Sequence, residues 1–388
     1  MTIPRRLAPV LLDAAALYPV VTVTGPRQSG KTTLCRSLFP DKPYVSLEAP
    51  DTAAWAQEDP RGFLASNPTG AILDEVQAVP HLLRYLQGEV DERPESGRWV
   101  LTGSQHFALS AAVAQSLAGR TAMLHLLPPS LEELRQFPQH PTDLLTTLWT
   151  GAYPRIHDRG IPAGRWLSDY VATYIQRDVR QVLAVGDLTA FTNFVRLCAG
   201  RTGQELNLSA LGADAGVSHV TAKSWLSVLE TSFLVHRVAP WHNNARKRLV
   251  KTPKLHFLDT GLACFLLGIR TPEELNLHPA RGALFESWVV AEAYKAHVHA
   301  GLVPQLYHLR ETRGSEVDLV VERGAERILV EVKSGATIGS DALDGVRTAL
   351  SEGVGSKARL VYGGSDKGVR SGVELWPWAA LDDEAWVG

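Results

Sequence analysis

VTVTGPRQSGKTT, residues 21–33, decides how this chain is read. Val21-Thr22-Val23-Thr24 alternates like a strand. It runs straight into Gly25-Pro26-Arg27-Gln28-Ser29-Gly30-Lys31-Thr32, which has the spacing G-x-x-x-x-G-K-[ST] in the strand-loop-helix context that pattern requires. A triphosphate is densely negative. Holding it takes inward-facing backbone N–H groups, a helix N-terminus, one cation and a hydroxyl for a metal. Gly25 and Gly30 let the backbone turn and approach. The residues from Gly25 through Pro26, Arg27, Gln28, Ser29, Gly30, Lys31, Thr32 and Thr33 are expected to cradle ATP. Lys31 reaches the β- and γ-phosphates, and Thr32 ligates Mg²⁺. The plain alternative is a glycine turn that happens to carry Lys-Thr.

Gly70-Ala71-Ile72-Leu73-Asp74-Glu75 is an apolar run closing on two acids. A buried parallel strand reads this way, and open α/β sheets place their chemistry at its carboxyl end. Asp74 is expected to hold Mg²⁺ and Glu75 to polarise the attacking water, since phosphoryl transfer is mainly positioning and charge stabilisation. The presence of Glu75 points to hydrolysis rather than binding alone. A third strand, Trp99–Ser104, ends in small polar residues suited to sensing a γ-phosphate, with Ser104 the first choice and Thr102 the second. Arg120 follows Leu117-Ala118-Gly119. It is a candidate phosphate-contacting arginine, in cis or across the boundary of a homo-oligomer, and a plain surface arginine is the competing reading.

With 388 residues the chain is long enough for two or three domains. Its 45% hydrophobic and 21% charged content are those of a water-soluble globular protein. The formal net charge of −2 means that any nucleic-acid contact must come from a local patch. Cys35, Cys198 and Cys264 form no C-x-x-C pair, as expected in a reducing cytoplasm. Arg5-Arg6 and the following apolar stretch faintly resemble a signal peptide, but Asp13 interrupts them, and an amphipathic first helix explains the segment better. No apolar run reaches the roughly 18 residues a membrane span needs.

The composition divides the chain. A P-loop core occupies 1–130. Residues 131–204 read as helices, including Trp166–Ile175, and suit a helical lid. Arg177 beside Asp178 reads as a salt bridge rather than a relay. Residues 205–270 show a short helix, Gly216, a longer helix capped by Ser218 and then two strands, the order of a winged helix. His219, Thr221, Lys223 and Ser224 face outward there. A basic tip, Arg246-Lys247-Arg248, joins the strands. Lys223, Arg246, Lys247 and Arg248 are the candidate nucleic-acid contacts, with DNA favoured, and such a tip would bind phosphates without reading sequence. Winged helices also serve as protein-interaction modules, and a basic loop is often only a solvated face.

In 271–388, Glu286 lies near the start of a helix. Asp318 lies on a strand, and Glu331 and Lys333 lie on its antiparallel partner across a turn at Arg323-Gly324-Ala325. Glu331 and Lys333 point the same way because strand side chains alternate. Carboxylates that hold Mg²⁺ and a lysine that orients its water would suit phosphodiester hydrolysis. Glu286, Asp318 and Glu331 are the candidate ligands. Asp318, Glu331 and Lys333 are the candidate catalytic groups. A structural copy of the fold without activity is the alternative.

Laid end to end, GPRQSGKT, ILDEVQ, VLTGSQ, LAGR, LPPSLEEL, YIQRDV, PKLHFLDTGL, GALFESWV, RETRGSEVDLVV and ILVEVKSG occur in an order that resembles one family. It is that of the prokaryotic AAA-type ATPases with a C-terminal winged helix and a restriction-endonuclease-like domain, long catalogued as a domain of unknown function. The resemblance covers nearly the whole chain. It implies an α/β fold: a P-loop AAA-type parallel sheet with helical lid, a winged helix and a C-terminal restriction-endonuclease-like domain. It also implies ATP and Mg²⁺ at Gly25, Gly30, Lys31, Thr32, Asp74 and Glu75, and a nuclease-like constellation at Glu286, Asp318, Glu331 and Lys333. Two functions then compete. One is an ATP-driven nucleic-acid enzyme with gated Mg²⁺-dependent cleavage. The other is a nucleotide-dependent switch whose C-terminal region is a non-catalytic DNA- or protein-binding platform.

Overall fold

Val20–Gly25 (β1) is buried along its whole length. A strand apolar on both faces needs cover on both sides, which is the situation of a central strand in a parallel sheet. The computed structural model describes residues 2–104, 116–174, 188–242, 252–310 and 316–387, with only the backbone at Ser104 and Tyr174. They form two compact units. The first comprises Met1–Pro129 with Thr231–Phe233 and Val298–Leu302, and the second holds the rest.

In the first unit β1 is joined by Tyr44–Ser46 (β2), Ile72–Asp74 (β3), Trp99–Ser104 (β4) and Thr121–His125 (β5), in the order β2-β3-β4-β1-β5. All neighbouring pairs are parallel. Alternation sorts the side chains. Val21, Val23, Ile72 and Val100 pack on one face with Leu7 and Leu11 of the helix Leu7–Leu17 (α1) and Leu34 of Lys31–Leu38 (α2). Val20, Leu73, Leu101 and Trp99 pack on the other. They meet Ala56 of Pro50–Glu58 (α3), Phe63 of Pro60–Ala65 (α4) and Leu86 of Leu82–Glu92 (α5). The order puts the carboxyl ends of β1, β3 and β4 side by side, where an open α/β sheet leaves its crevice.

The second unit is built on a nine-stranded mixed sheet. Its strands are Gln204–Glu205 (β6), Val235–Pro240 (β7), Lys254–Phe257 (β8), Leu306–Arg310 (β9), Glu316–Arg323 (β10), Glu326–Lys333 (β11), Lys357–Tyr362 (β12), Gly368–Arg370 (β13) and Val373–Pro377 (β14). Their order is β13-β14-β12-β11-β10-β9-β7-β8-β6. The helix Leu208–Asp214, a turn at Gly216 (φ 72°) and the helix His219–Thr231 precede β7 and β8. Asn207 and Ser218 accept from the first-turn N–H groups of these helices. The three segments that composition separates after residue 130 share one hydrophobic core, and the last two share this sheet. That core runs from Leu131 through Phe194, Trp225, Phe257 and Phe285 to Trp386. β7 and β9 pair in parallel, Ala239 opposite Tyr307, and thereby continue one sheet across residue 270.

The helix Arg281–His299 covers one face of β10 and β11 through Phe285 and Val289 against Leu319, Val321 and Val330. Asp344–Ser351 covers the other through Val346 and Ala349 against Val320 and Leu329. Among the described residues no helix is long and apolar enough to cross a membrane.

Candidate functional site

The phosphate-loop pattern folds as a loop whose backbone only glycine could follow at two points. Gly25 has φ 150°, and a Cβ there would lie 2.1 Å from the carbonyl oxygen of Leu126. Gly30 has φ 98° and stands at the N-terminus of α2. Lys31 is buried and donates from Nζ to the carbonyl oxygens of Gly25 at 3.1 Å and Pro26 at 2.7 Å. Burial drives its ammonium down to about 8, although the charges of Glu75 and Asp74 partly oppose the shift. The buried Ser29 hydroxyl has no hydrogen-bond partner among the described residues. A buried hydroxyl with a donor to spare inside this loop fits a phosphate oxygen as its acceptor. From behind, the Arg5 guanidinium bonds the carbonyls of Ser29 at 3.0 Å and Leu127 at 2.7 Å, fixing the loop to the end of β5. Gln28 and Thr33 are exposed and Arg27 half-buried.

Three hydroxyls converge on Asp74. Thr32 Oγ1 lies 3.1 Å from each carboxylate oxygen, Tyr44 donates to Oδ2 at 2.7 Å, and Thr102 donates to Oδ1. β4 follows β3 in parallel register with Leu73 opposite Leu101, which brings Thr102 level with Asp74. Of the two residues weighed on this strand, Thr102 thus touches the metal-candidate acid, while the side chain of Ser104 lies outside the described residues. Tyr44 was not legible as a site residue. It stands on a three-residue strand, with the Arg36 guanidinium 4.6 Å from its ring centroid. Burial, then the bond to Asp74, pushes its phenol up to about 12, so it remains a donor.

Thr32 and Asp74 supply hard oxygen donors at one place, which fits Mg²⁺. Glu75 adopts a left-handed conformation with φ 57°, and Gln77 donates to its carboxylate. A non-glycine residue held there marks a position under local constraint.

Arg120 lies elsewhere. Its carbonyl accepts from Val20 N at the start of β1, the opposite end of that strand from the phosphate loop. Five residues of strand separate them, about 17 Å. Its guanidinium forms a two-point pair with Asp91, at 2.5 and 2.9 Å. Within one chain it does not reach the loop.

Residues 17–135 match an AAA domain. The AAA match covers the loop, Asp74, Glu75 and Thr102. Residues 141–273 and 281–381 match two domains of unknown function, DUF8612 and DUF4143. Two curated relatives are uncharacterized proteins, Rv2008c of Mycobacterium tuberculosis and Mb2031c of Mycobacterium bovis. Each is 29% identical over 373 residues, covering 95% of this chain and 82% of the relative. Among solved structures, the Walker-type ATPase PABY2304 of Pyrococcus abyssi is similar over 67% of this chain and 94% of that one, at 14% identity and a TM-score of 0.46.

In the second unit Glu286, Asp318, Glu331 and Lys333 do come together, but with a fifth residue that sequence reasoning missed. Lys254, at the start of β8, is buried and places Nζ 3.0 Å from Glu286, 3.7 Å from Glu316 and 3.8 Å from Asp318. Asp318 sits where the pairing of β10 with β9 shifts register, a bulge of the kind that re-aims a side chain. Its Oδ2 accepts from Val332 N at 2.9 Å. Lys333 pairs with Glu331 at 2.6 Å.

Burial and the charge of Asp318 push Glu286 up to about 8 and Glu331 up to about 7, and burial raises Asp318 as well. Burial would lower Lys254, but Glu286 and Asp318 outweigh it and hold the ammonium above its ordinary range. Among the described residues no group of three or more His, Cys, Asp or Glu is arranged to hold a metal ion. This donor set, with an ammonium among its carboxylates, does not fit Mg²⁺. Lys223 is exposed on the outer face of its helix, beside His219 and Ser224. Arg246, Lys247, Arg248 and Arg177 lie outside the described residues.

Proposed function

We propose that this chain binds ATP with Mg²⁺ in the phosphate loop of its AAA domain, hydrolyses it, and uses the nucleotide state to switch what its second unit binds. The observation that carries the reading is the convergence on Asp74 of Thr32, Tyr44 and Thr102, beside a buried Lys31 whose partners are the loop's own carbonyls. In this reading the loop N–H groups and Lys31 grip the β- and γ-phosphates. Thr32 and Asp74 hold Mg²⁺, which neutralises charge on the phosphates when bound. Tyr44 and Thr102 aim the Asp74 carboxylate. Glu75 orients the attacking water once it leaves Gln77. Three buried, unpaired cysteines agree with a reducing cytoplasm.

For the second unit, we favour a binding platform over a Mg²⁺-dependent nuclease, because Lys254 occupies the carboxylate cluster. The order helix, turn, helix, two strands supports a winged helix, and the exposed Lys223 supports contact with nucleic acid, DNA by preference. Arg120 would serve a nucleotide only across the boundary of a homo-oligomer.

The test pairs two assays on wild type, Lys31→Ala and Asp318→Ala. Phosphate release should vanish in Lys31→Ala and persist in Asp318→Ala. DNA retention should change with nucleotide in wild type and not in Lys31→Ala. ATP- and Mg²⁺-dependent cutting of plasmid DNA that disappears in Asp318→Ala would overturn the platform reading in favour of the nuclease.

A further inference from the structure

The acids expected to hold a metal in the second unit already have cations. We infer that Lys254 is the resident cation of the Glu286–Glu316–Asp318 cluster, an internal ion lock that joins β8 and the helix Arg281–His299 to β10 and keeps divalent metals out. An ammonium offers three N–H donors. One is within hydrogen-bond distance of Glu286 Oε1 at 3.0 Å, and Glu316 and Asp318 lie inside 4 Å. The Lys254 side chain is 6% exposed and the Glu286 and Asp318 side chains 14% each, while Glu316 stands at the solvent edge at 52%.

Both oxygens of Asp318 are engaged, Oδ1 facing Lys254 and Oδ2 accepting from Val332 N. Glu331, the remaining expected ligand, faces Lys333. The neighbouring histidines add no positive charge, because burial holds His256 well below its ordinary range and His308 down to about 4. A divalent ion entering here would meet a buried like charge and carboxylates already paired.

The lock stands independently of the nucleotide reading, so failure of one leaves the other intact. The experiment is a calorimetric Mn²⁺ titration of the full chain without nucleotide. Wild type and Asp318→Asn should give the same isotherm. Lys254→Met should gain one saturable site per chain, with a dissociation constant on the order of 10⁻⁴ M. That site should be lost again in Lys254→Met combined with Asp318→Asn. A wild-type site that Asp318→Asn removes would overturn the inference, as would a folded Lys254→Met that gains nothing. If Lys254→Met does not fold, the comparison of wild type with Asp318→Asn decides alone. Equal isotherms uphold the lock and a lost site overturns it.

Discussion

Raising the pH should loosen the grip on nucleotide, and Lys31 is the reason. Its ammonium is buried against the Gly25 and Pro26 carbonyls, and burial holds it down to about 8. Below that pH the free chain carries the charge that the phosphates need. At pH 9 only about one chain in ten does, so affinity falls roughly tenfold, about 1.4 kcal/mol. A bound triphosphate restores the ordinary lysine range, so binding at pH 9 should take up about 0.9 proton, against almost none from this group at pH 6.5. Calorimetry with a non-hydrolysable ATP analogue, in two buffers of different ionisation enthalpy, reads both quantities. Lys31→Arg keeps a charge that does not titrate in this range and should abolish the uptake while binding remains measurable. Affinity flat from pH 6.5 to 9, or an uptake that survives Lys31→Arg, would refute the reasoning. The same shift has a stability signature. The cost of burying the charged amine is present below about pH 8 and fades as pH rises toward 10.5, so the free chain gains stability over that interval from this group.

Removing the Thr102 hydroxyl with Thr102→Val takes one donor from Asp74, and Mg²⁺-dependent nucleotide affinity should fall roughly 10–100-fold, measured by titration at fixed ATP. Tyr44→Phe should act in the same direction and more weakly, because Thr32 and Thr102 remain on the carboxylate. Gly25→Ala forces a Cβ against the Leu126 carbonyl, 2.1 Å away, and should lower the melting temperature as well as abolish binding. In the second unit Asp259 accepts from Ala152 N and Leu262 N, each at 2.8 Å. Asp259→Ala strands both donors and should cost about 2–4 kcal/mol in denaturant unfolding.

The nucleotide half of the molecule was legible because its chemistry is local. A phosphate loop needs its glycines, lysine and threonine within eight residues, and Asp74 and Glu75 close a short apolar run. Thr102 was the harder choice. Alternation puts it on the same face as Ser104, and only the register of β4 against β3 decides which meets Asp74. Tyr44 gave no signal, since a tyrosine on a short strand reads as ordinary packing. Sequence alone leaves Arg120 open to acting in cis or across a subunit boundary, and its place just before β5, parallel to β1, sets it at the opposite end of the sheet from the loop within one chain. The second unit was less legible for a related reason. Its sheet is assembled from strands far apart in sequence, so neither the β7–β9 pairing nor the arrival of Lys254 at Asp318 leaves a pattern in any window. The β10 bulge that aims Asp318 is equally silent.

The central claim is that Glu75, and no other group, orients water against a triphosphate held by the loop. Single-turnover phosphate release by Glu75→Gln, at nucleotide concentrations that saturate binding, tests it most directly. Tight ATP binding with turnover lowered by roughly a hundredfold or more is the expected result. Release at the wild-type rate from a saturated Glu75→Gln would contradict it.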